Sequence, residues 1–452
     1  MNVLTFSYLV SAILLFVPVA ISQASTYPNP IANLTYGTFQ GQYDGRYNIS
    51  YFRKIPFAAP PVGINRFRGP QPVIPITNGT YNSNQAFDMC PQRTVNGSED
   101  CLYLGLYSRP WSSGGRLRPV VVVFYGGGFI QGSASFSIPP SGYPVLNVSA
   151  SNDFIMVYPN YRVNAFGFLP GKAIKEDPHS DLNVAHLDQQ AVLKWVQKHI
   201  RAFGGNPGEV TIWGQSAGGG SVVAQSIANV TQQAGLFKRA LASSPYWPKT
   251  YRYDSLEAEA IYSRFAELAG CGNRNDSLAC LKQADVQTLR DASLVISGSH
   301  TYNTSSYTWA PVIGDDLLPL SLTDATTSGH INYEKGFAMY NTHEGETFVP
   351  SSLSDISSGN ATSSFRTWLT GFLPTLSSRH ISELLSLYPS TGVTETISYN
   401  TTTVRAGLIY RDIILACPAY WLASASKQVG HLGEYTISPA KHASDVQYWN
   451  QV

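Results

Sequence analysis

The stretch Phe203-Gly204-Gly205-Asn206-Pro207-Gly208-Glu209-Val210-Thr211-Ile212-Trp213-Gly214-Gln215-Ser216-Ala217-Gly218 decides the fold. It sets a serine between two glycines, straight after a short apolar strand and straight before a helix start of small residues. Only residues without bulk can flank a serine in so tight a strand-to-helix turn. Such a turn lifts Ser216 Oγ to the top of a sheet, and the following helix offers backbone N–H groups to an oxyanion. The short Gly-x-Ser-x-Gly pattern also fits a surface loop. The longer run, with glycines, strand and serine in step, favours the turn.

Other segments share this grammar. Residues 119–125 form a continuous apolar, β-branched run, as in a strand buried on both faces, and residues 154–158 and 210–213 are similar. Between the last two, residues 188–201 carry Ala191, Val192, Trp195, Val196 and Ile200 at helical spacing. Alternating buried strands and helices predict an α/β fold, a mostly parallel sheet with helices on both faces. Further strands are expected at residues 239–243, 336–340 and 433–437, and a β-rich region runs up to about Tyr107. Residues 251–390 read as mainly helical insertions above the sheet, where an active-site entrance would lie. No linker separates independent units, so one domain over residues 25–452 is expected.

The chain has 452 residues, 43% hydrophobic and 13% charged, with a formal net charge of +1. That is ample material for a large core, and near-neutrality argues against a nucleic-acid partner, which calls for a basic excess. Residues 6–20 form an apolar run too short to span a bilayer, followed by Ser22 and Ala24. A signal peptide over residues 1–24 is expected, with no membrane span elsewhere. Sequons at Asn33, Asn48, Asn78, Asn96, Asn147, Asn229, Asn275, Asn303, Asn360 and Asn400 fit a secreted, extracellular glycoprotein. Cys90 and Cys101 bracket a short loop, as do Cys271 and Cys280, and export permits both pairs to oxidise. Cys417 is left over, either a buried thiol or one whose partner this chain lacks.

A serine hydroxyl at neutral pH is a weak nucleophile and needs a base, an orienting acid and donors for the oxyanion. Gly126-Gly127-Gly128 follows the buried strand, and glycines let a backbone aim its N–H groups at a substrate oxygen. Gly127, Gly128 and Ala217 are the expected oxyanion hole. The competing reading is a glycine turn that merely closes a strand.

The chain resembles the type-B carboxylesterases, the carboxylesterase/cholinesterase/lipase family of α/β-hydrolases. The resemblance rests on Glu99-Asp100-Cys101-Leu102-Tyr103-Leu104, with Gly105 where Asp, Asn or Ser is usual. It rests also on Ile55-Pro56-Phe57-Ala58-Ala59-Pro60-Pro61-Val62-Gly63, Asn160-Tyr161-Arg162, Leu187-Asp188-Gln189 and Trp195-Val196-Gln197. It covers about residues 30–450 and implies the chain order oxyanion glycines, serine, acid, histidine. Asn341-Thr342-His343-Glu344-Gly345 resembles the family's acid loop, which makes Glu344 the expected acid. Glu346 is offset, and Asp315 and Asp316 fall in a segment resembling a structural turn.

Three histidines compete as base. His343 adjoins the acid and His431 precedes the last strand. His442 follows that strand, where the family's catalytic histidine sits before a small residue and an Asp, although Ala443 replaces the more usual Gly. The base must reach Ser216 from a loop at the carboxyl end of the strands, which favours His442. Arg162 with Asp188, and Arg66 with Glu99, resemble the family's buried ion pairs. Ala185-His186 stands where the family usually has Gly-Leu, and His186 reads as a scaffold residue.

In family lipases and cholinesterases the first disulfide closes a long loop that acts as a lid or carries ligand-binding aromatics. Cys90 and Cys101 enclose only residues 91–100, with no tryptophan. A lid-gated lipase and a quaternary-ammonium site, which needs an aromatic cage, are both disfavoured. The expected activity is hydrolysis of small, soluble, short-to-medium acyl esters through a Ser-His-Glu triad, with no metal or organic cofactor. The alternatives are a lipase on water-insoluble acylglycerols and a catalytically inactive binding or adhesion relative. Only residues 443–452 follow His442, whereas family members continue further. A shortened C-terminus and reduced stability are therefore expected, and the leftover Cys417 fits a missing tail.

Overall fold

The computed structural model describes residues 27–134, 146, 153–229, 231, 235–304, 308–350, 353, 361–394 and 396–449. The expected signal peptide and the sequons at Asn147 and Asn360 lie outside the described residues. Near the amino end, β1 (Ile31–Leu34), β2 (Gly37–Gln40), β3 (Gln42–Asp44) and β5 (Thr80–Asn82) are short, while β4 (Ile49–Pro56) runs for eight residues. Strands β1, β2 and β5 form a small sheet of their own.

The central sheet adds β6 (Tyr103–Ser108), β7 (Arg118–Phe124), β8 (Ile155–Pro159), β9 (Gly205–Gln215), β10 (Arg239–Ser243) and β11 (Lys335–Asn341). After the antiparallel pair β12 (Gly392–Val393) and β13 (Ser398–Tyr399), β14 (His431–Tyr435) closes one edge. The sheet order is β14-β11-β10-β9-β7-β8-β6-β4-β3. From β14 to β8 every neighbour is parallel, and β6, β4 and β3 continue antiparallel. Every residue of β8 is buried, as its unbroken apolar sequence demands of a strand covered on both faces.

Register decides where chemistry can occur. Phe124 and Ala242 both pair with Gly214, so β7, β9 and β10 end at one level. Asn341 pairs with Tyr435, which brings the loops after β11 and β14 to the same rim. An open α/β sheet presents its ligand site at these carboxyl ends. His431 is the first residue of β14 and pairs with Phe337, at the amino end of the strand. That placement removes it as a base for Ser216. The strand expected at residues 210–213 extends back to Gly205, because Arg118 of β7 pairs with Gly205 across an irregularity.

The helix Val184–His199 packs beneath the sheet with Val192, Trp195 and Val196 buried. Helices Leu256–Leu268, Val286–Thr304, Ala361–Phe372 and Ser378–Leu387 lie in the region read as insertions, which also contains strand β11. No helix among the described residues is long and apolar enough to cross a membrane.

Two buried ion pairs brace this frame. Arg162 donates from Nε and Nη2 to Asp188 at 2.9 and 2.7 Å, and Arg66 grips Glu99 at 2.7 Å through Nε and Nη2. The remaining Arg66 nitrogen donates to the carbonyls of Leu281, Lys282 and Ala284, tying the two disulfide regions together. Both expected disulfides, Cys90–Cys101 and Cys271–Cys280, are formed. Cys417 is exposed, which corrects the reading of it as a buried thiol: it lies in the helical run from Thr402 to Ser424 on a position that faces away from the buried Ile414, Leu415 and Leu422. Asn33, Asn48, Asn78, Asn96, Asn275 and Asn400 are exposed, while Asn229 is half-buried. Asn303 falls in the last turn of the helix Val286–Thr304.

Candidate active site

The turn at Ser216 is a steric pinch. Strand β9 ends at Gln215 and the helix Ala217–Ile227 begins at once, leaving Ser216 at φ 58° and ψ −126°. A side chain on Gly214 would meet the Gly218 carbonyl at 2.2 Å, and one on Gly218 would meet Phe124 O at 2.1 Å. Both positions therefore exclude any residue with a Cβ. A non-glycine held in such a conformation costs on the order of 1–3 kcal/mol, which the surroundings must offset. Ser216 N–H donates to Ser243 O at 3.0 Å, and Ser216 O accepts from Gly220 and Tyr246 N–H at 2.9 Å each.

His442 meets Ser216 from the loop after β14. Its Nε2 lies 2.9 Å from Ser216 Oγ, and its Nδ1 lies 2.8 Å from Glu344 Oε2. Glu344 is wholly buried, and its other oxygen accepts Asn341 N–H at 2.8 Å. A proton on Nδ1 satisfies that buried carboxylate and leaves Nε2 as an acceptor for the serine hydroxyl. His343 turns to Glu346 instead, with Nδ1 2.6 Å from Oε1.

Residues that sequence reading passed over hold this geometry. Asn341 Nδ2 donates to Lys441 O at 2.7 Å and to Asp445 Oδ1 at 3.0 Å, so the end of β11 anchors the His442 loop. The Phe348 ring meets His442 edge-on with centroids 4.9 Å apart, and stacks on Tyr410 at 5.0 Å. Asn341 opens the segment read as the acid loop and Asp445 follows His442, but their pairing across 104 residues left no local signal. Phe348 carried none at all.

The expected oxyanion donors border the same space. Gly126, Gly127 and Gly128 line a cavity of about 500 Å³ together with Ser216, Tyr246, Phe348 and His442. Gly127 sits at φ 117°, and a Cβ there would lie 2.3 Å from Gln131 O. The N–H groups of Gly127, Gly128 and Ala217 donate to no other described residue. This site holds a hydroxyl that can pass its proton to an imidazole, a carboxylate to balance the resulting cation, and uncommitted donors beside them. Such a set suits acyl transfer. Among the described residues no group of three or more His, Cys, Asp or Glu is arranged to hold a metal ion.

Comparison with known proteins places the chain among relatives. It is 32% identical to the secreted triacylglycerol lipase LIP1 of Gibberella zeae over 316 residues, 63% of this chain and 52% of that protein. It is 33% identical to carboxylesterase 1C of Rattus norvegicus over 352 residues, 72% of this chain and 60% of that protein. The chain thus spans 52% and 60% of the length of these relatives. The crystal structure of Aspergillus niger EstA superposes with a TM-score of 0.77 at 25% identity, covering 93% of this chain and 81% of that one. A PNB esterase superposes with a TM-score of 0.74 at 25% identity, covering 93% and 85%. The architecture is that of the α/β-hydrolases. Residues 28–445 match the carboxylesterase family, and the chain belongs to it.

Proposed function

We propose that the chain is a secreted carboxylic ester hydrolase of one α/β-hydrolase domain, working through an acyl-enzyme on Ser216. The observation that carries this reading is the unbroken line from Ser216 Oγ through His442 to the buried Glu344, at 2.9 and 2.8 Å. His442 Nε2 takes the hydroxyl proton as Oγ attacks the ester carbonyl, and returns it to the departing alcohol oxygen. Water then enters, loses its proton to the same nitrogen, and releases the acid. Glu344 stabilises the imidazolium in both steps. The N–H groups of Gly127, Gly128 and Ala217 hold the tetrahedral oxyanion, and losing one such donor costs about 2.7–4 kcal/mol. Secretion is supported by the apolar run at residues 6–20, the two disulfides and the secreted fungal relative.

Soluble short-to-medium acyl esters are the proposed substrates. A cavity of about 500 Å³ and a ten-residue disulfide loop, too short to form an apolar flap, support that choice. The name of the fungal relative favours a second reading, a lipase acting on acylglycerols. Hydrolysis of p-nitrophenyl esters of increasing acyl length separates them, with Ser216→Ala as control. Equal rates for variant and parent sink the nucleophile assignment. A preference for emulsified long-chain esters selects the lipase, and ligand binding without any turnover selects the non-catalytic relative.

A further inference from the structure

Among the described residues that line the cavity above Ser216, Arg93 alone carries a permanent charge. Arg93 belongs to the loop closed by Cys90–Cys101, which is too short for a lid and holds no tryptophan. Its side chain is exposed and makes no ion pair with any described residue. Among the described residues no Asp or Glu lines the cavity, and Glu344 lies wholly buried behind His442.

The backbone that presents Arg93 is fixed from two sides. Gln92, fully buried, accepts Gly132 N–H through Oε1 and donates to Gly132 O through Nε2, both at 2.9 Å. From the other side Arg290 Nε donates to Gln92 O at 2.8 Å and Val95 O at 3.1 Å, and Arg290 Nη2 donates to Arg93 O at 3.3 Å. A disulfide, a buried amide and an arginine thus pin this loop, while the Arg93 guanidinium pairs with no described residue at the cavity wall. Nothing in the loop's own packing requires that charge.

A guanidinium offers a planar fork of donors that matches a carboxylate in two parallel hydrogen bonds. We propose that Arg93 makes this site selective for esters that carry a carboxylate near the scissile bond. Hemiesters of dicarboxylic acids present it on the acyl side, and esters of hydroxy-acids on the alcohol side. The proposal rests on the ester-hydrolase reading and narrows its substrate class. It also disfavours cationic esters, which the same charge repels.

The test measures kcat/KM of the full chain on matched pairs of anionic and neutral esters. p-Nitrophenyl hydrogen glutarate against p-nitrophenyl pentanoate probes the acyl side; 4-acetoxybenzoate against phenyl acetate probes the alcohol side. For one pair, Arg93→Ala lowers the anionic-to-neutral ratio about fivefold, Arg93→Glu lowers it further, and Arg93→Lys retains part of it. The parent's ratio also shrinks as added salt screens the exposed guanidinium. The pair that responds identifies the side of the ester. Ratios within about twofold of the parent in both Arg93→Ala and Arg93→Glu, for both pairs, overturn the proposal while neutral-ester turnover leaves the hydrolase reading standing. If the parent turns over no ester, the hydrolase reading fails separately. Calorimetric binding of 4-acetoxybenzoate and the glutarate hemiester to Ser216→Ala, with and without Arg93→Ala, then decides the contact. Equal affinities overturn it.

Discussion

Gln92 and Gly132 hold each other through a reciprocal pair of hydrogen bonds, N–H to Oε1 and Nε2 to carbonyl, both at 2.9 Å. The pair couples the first disulfide loop to the far end of the glycine turn that carries Gly127 and Gly128. Replacing Gln92 by Leu strips both partners from that backbone, and unmet polar groups of this kind cost about 2–3 kcal/mol together. Thermal unfolding of Gln92→Leu checks the cost, and a lowered kcat accompanies it as the donors lose their support. Gln92→Glu keeps the acceptor and loses the donor, and falls between.

Glu344→Gln preserves the shape of the acid and removes its charge. The amide can donate to His442 Nδ1, which drives the proton to Nε2 and leaves nothing to accept from Ser216. kcat falls about 10³–10⁴-fold with KM nearly unchanged, the signature of a wrong tautomer rather than a lost binding contact. Steady-state kinetics and an unaltered melting curve together check this.

Phe348 sits edge-on to His442 and face-on to Tyr410. Truncating it to Ala frees the imidazole to rotate away from Ser216 and forfeits about 1–2 kcal/mol of half-buried aromatic packing. The expected result is a kcat about tenfold to a hundredfold lower, since small misplacements of a catalytic group are expensive. Phe348→Leu recovers part of it, which a purely electrostatic role would not allow. Crystallographic or NMR detection of a second His442 rotamer checks the cause.

His186 makes stability fall in acid. Burial in an apolar setting holds its imidazole down from 6.5 to about 4, opposed only by the bond to Gln189. Above pH 6.5 both folded and unfolded states are neutral and the full stability is present. As pH falls below that value the unfolded chain takes up a proton that the folded site refuses, until the folded side chain titrates near 4. The loss across that window is about 3 kcal/mol. Denaturant midpoints for His186→Leu fall less steeply between about pH 7 and 4 than those of the parent. Parallel curves for the two proteins would refute the shift.

Much of the site is legible in the order of the residues. The turn at Ser216, the glycines at 127 and 128 and the buried strands around them are local demands. A pinch of 2.1–2.2 Å admits only glycine at 214 and 218, and a strand covered on both faces must be apolar throughout. The acid loop and His442 are readable by resemblance, because the chain order of the parts follows from the order of the strands. Strand ends differ from expectation by a few residues, as at Gly205, because pairing with Arg118 rather than local propensity sets them.

Long-range placement settles the rest. Whether His431 or His442 meets Ser216 depends on which end of β14 lies beside the end of β11, and Asn341 holding Lys441 and Asp445 decides that. Cys417 has no sequence mark of its exposure, and Phe348 none of its contact with the imidazole. Arg93 stands in a loop read only as too short for a lid, and a buried amide and Arg290 carry it to the cavity. The sequence alone determined the parts whose constraint is steric and acts between neighbours in the chain. The tertiary structure decided those whose partners lie from 40 to 198 residues away, because such pairings exist only once the sheet has set its order.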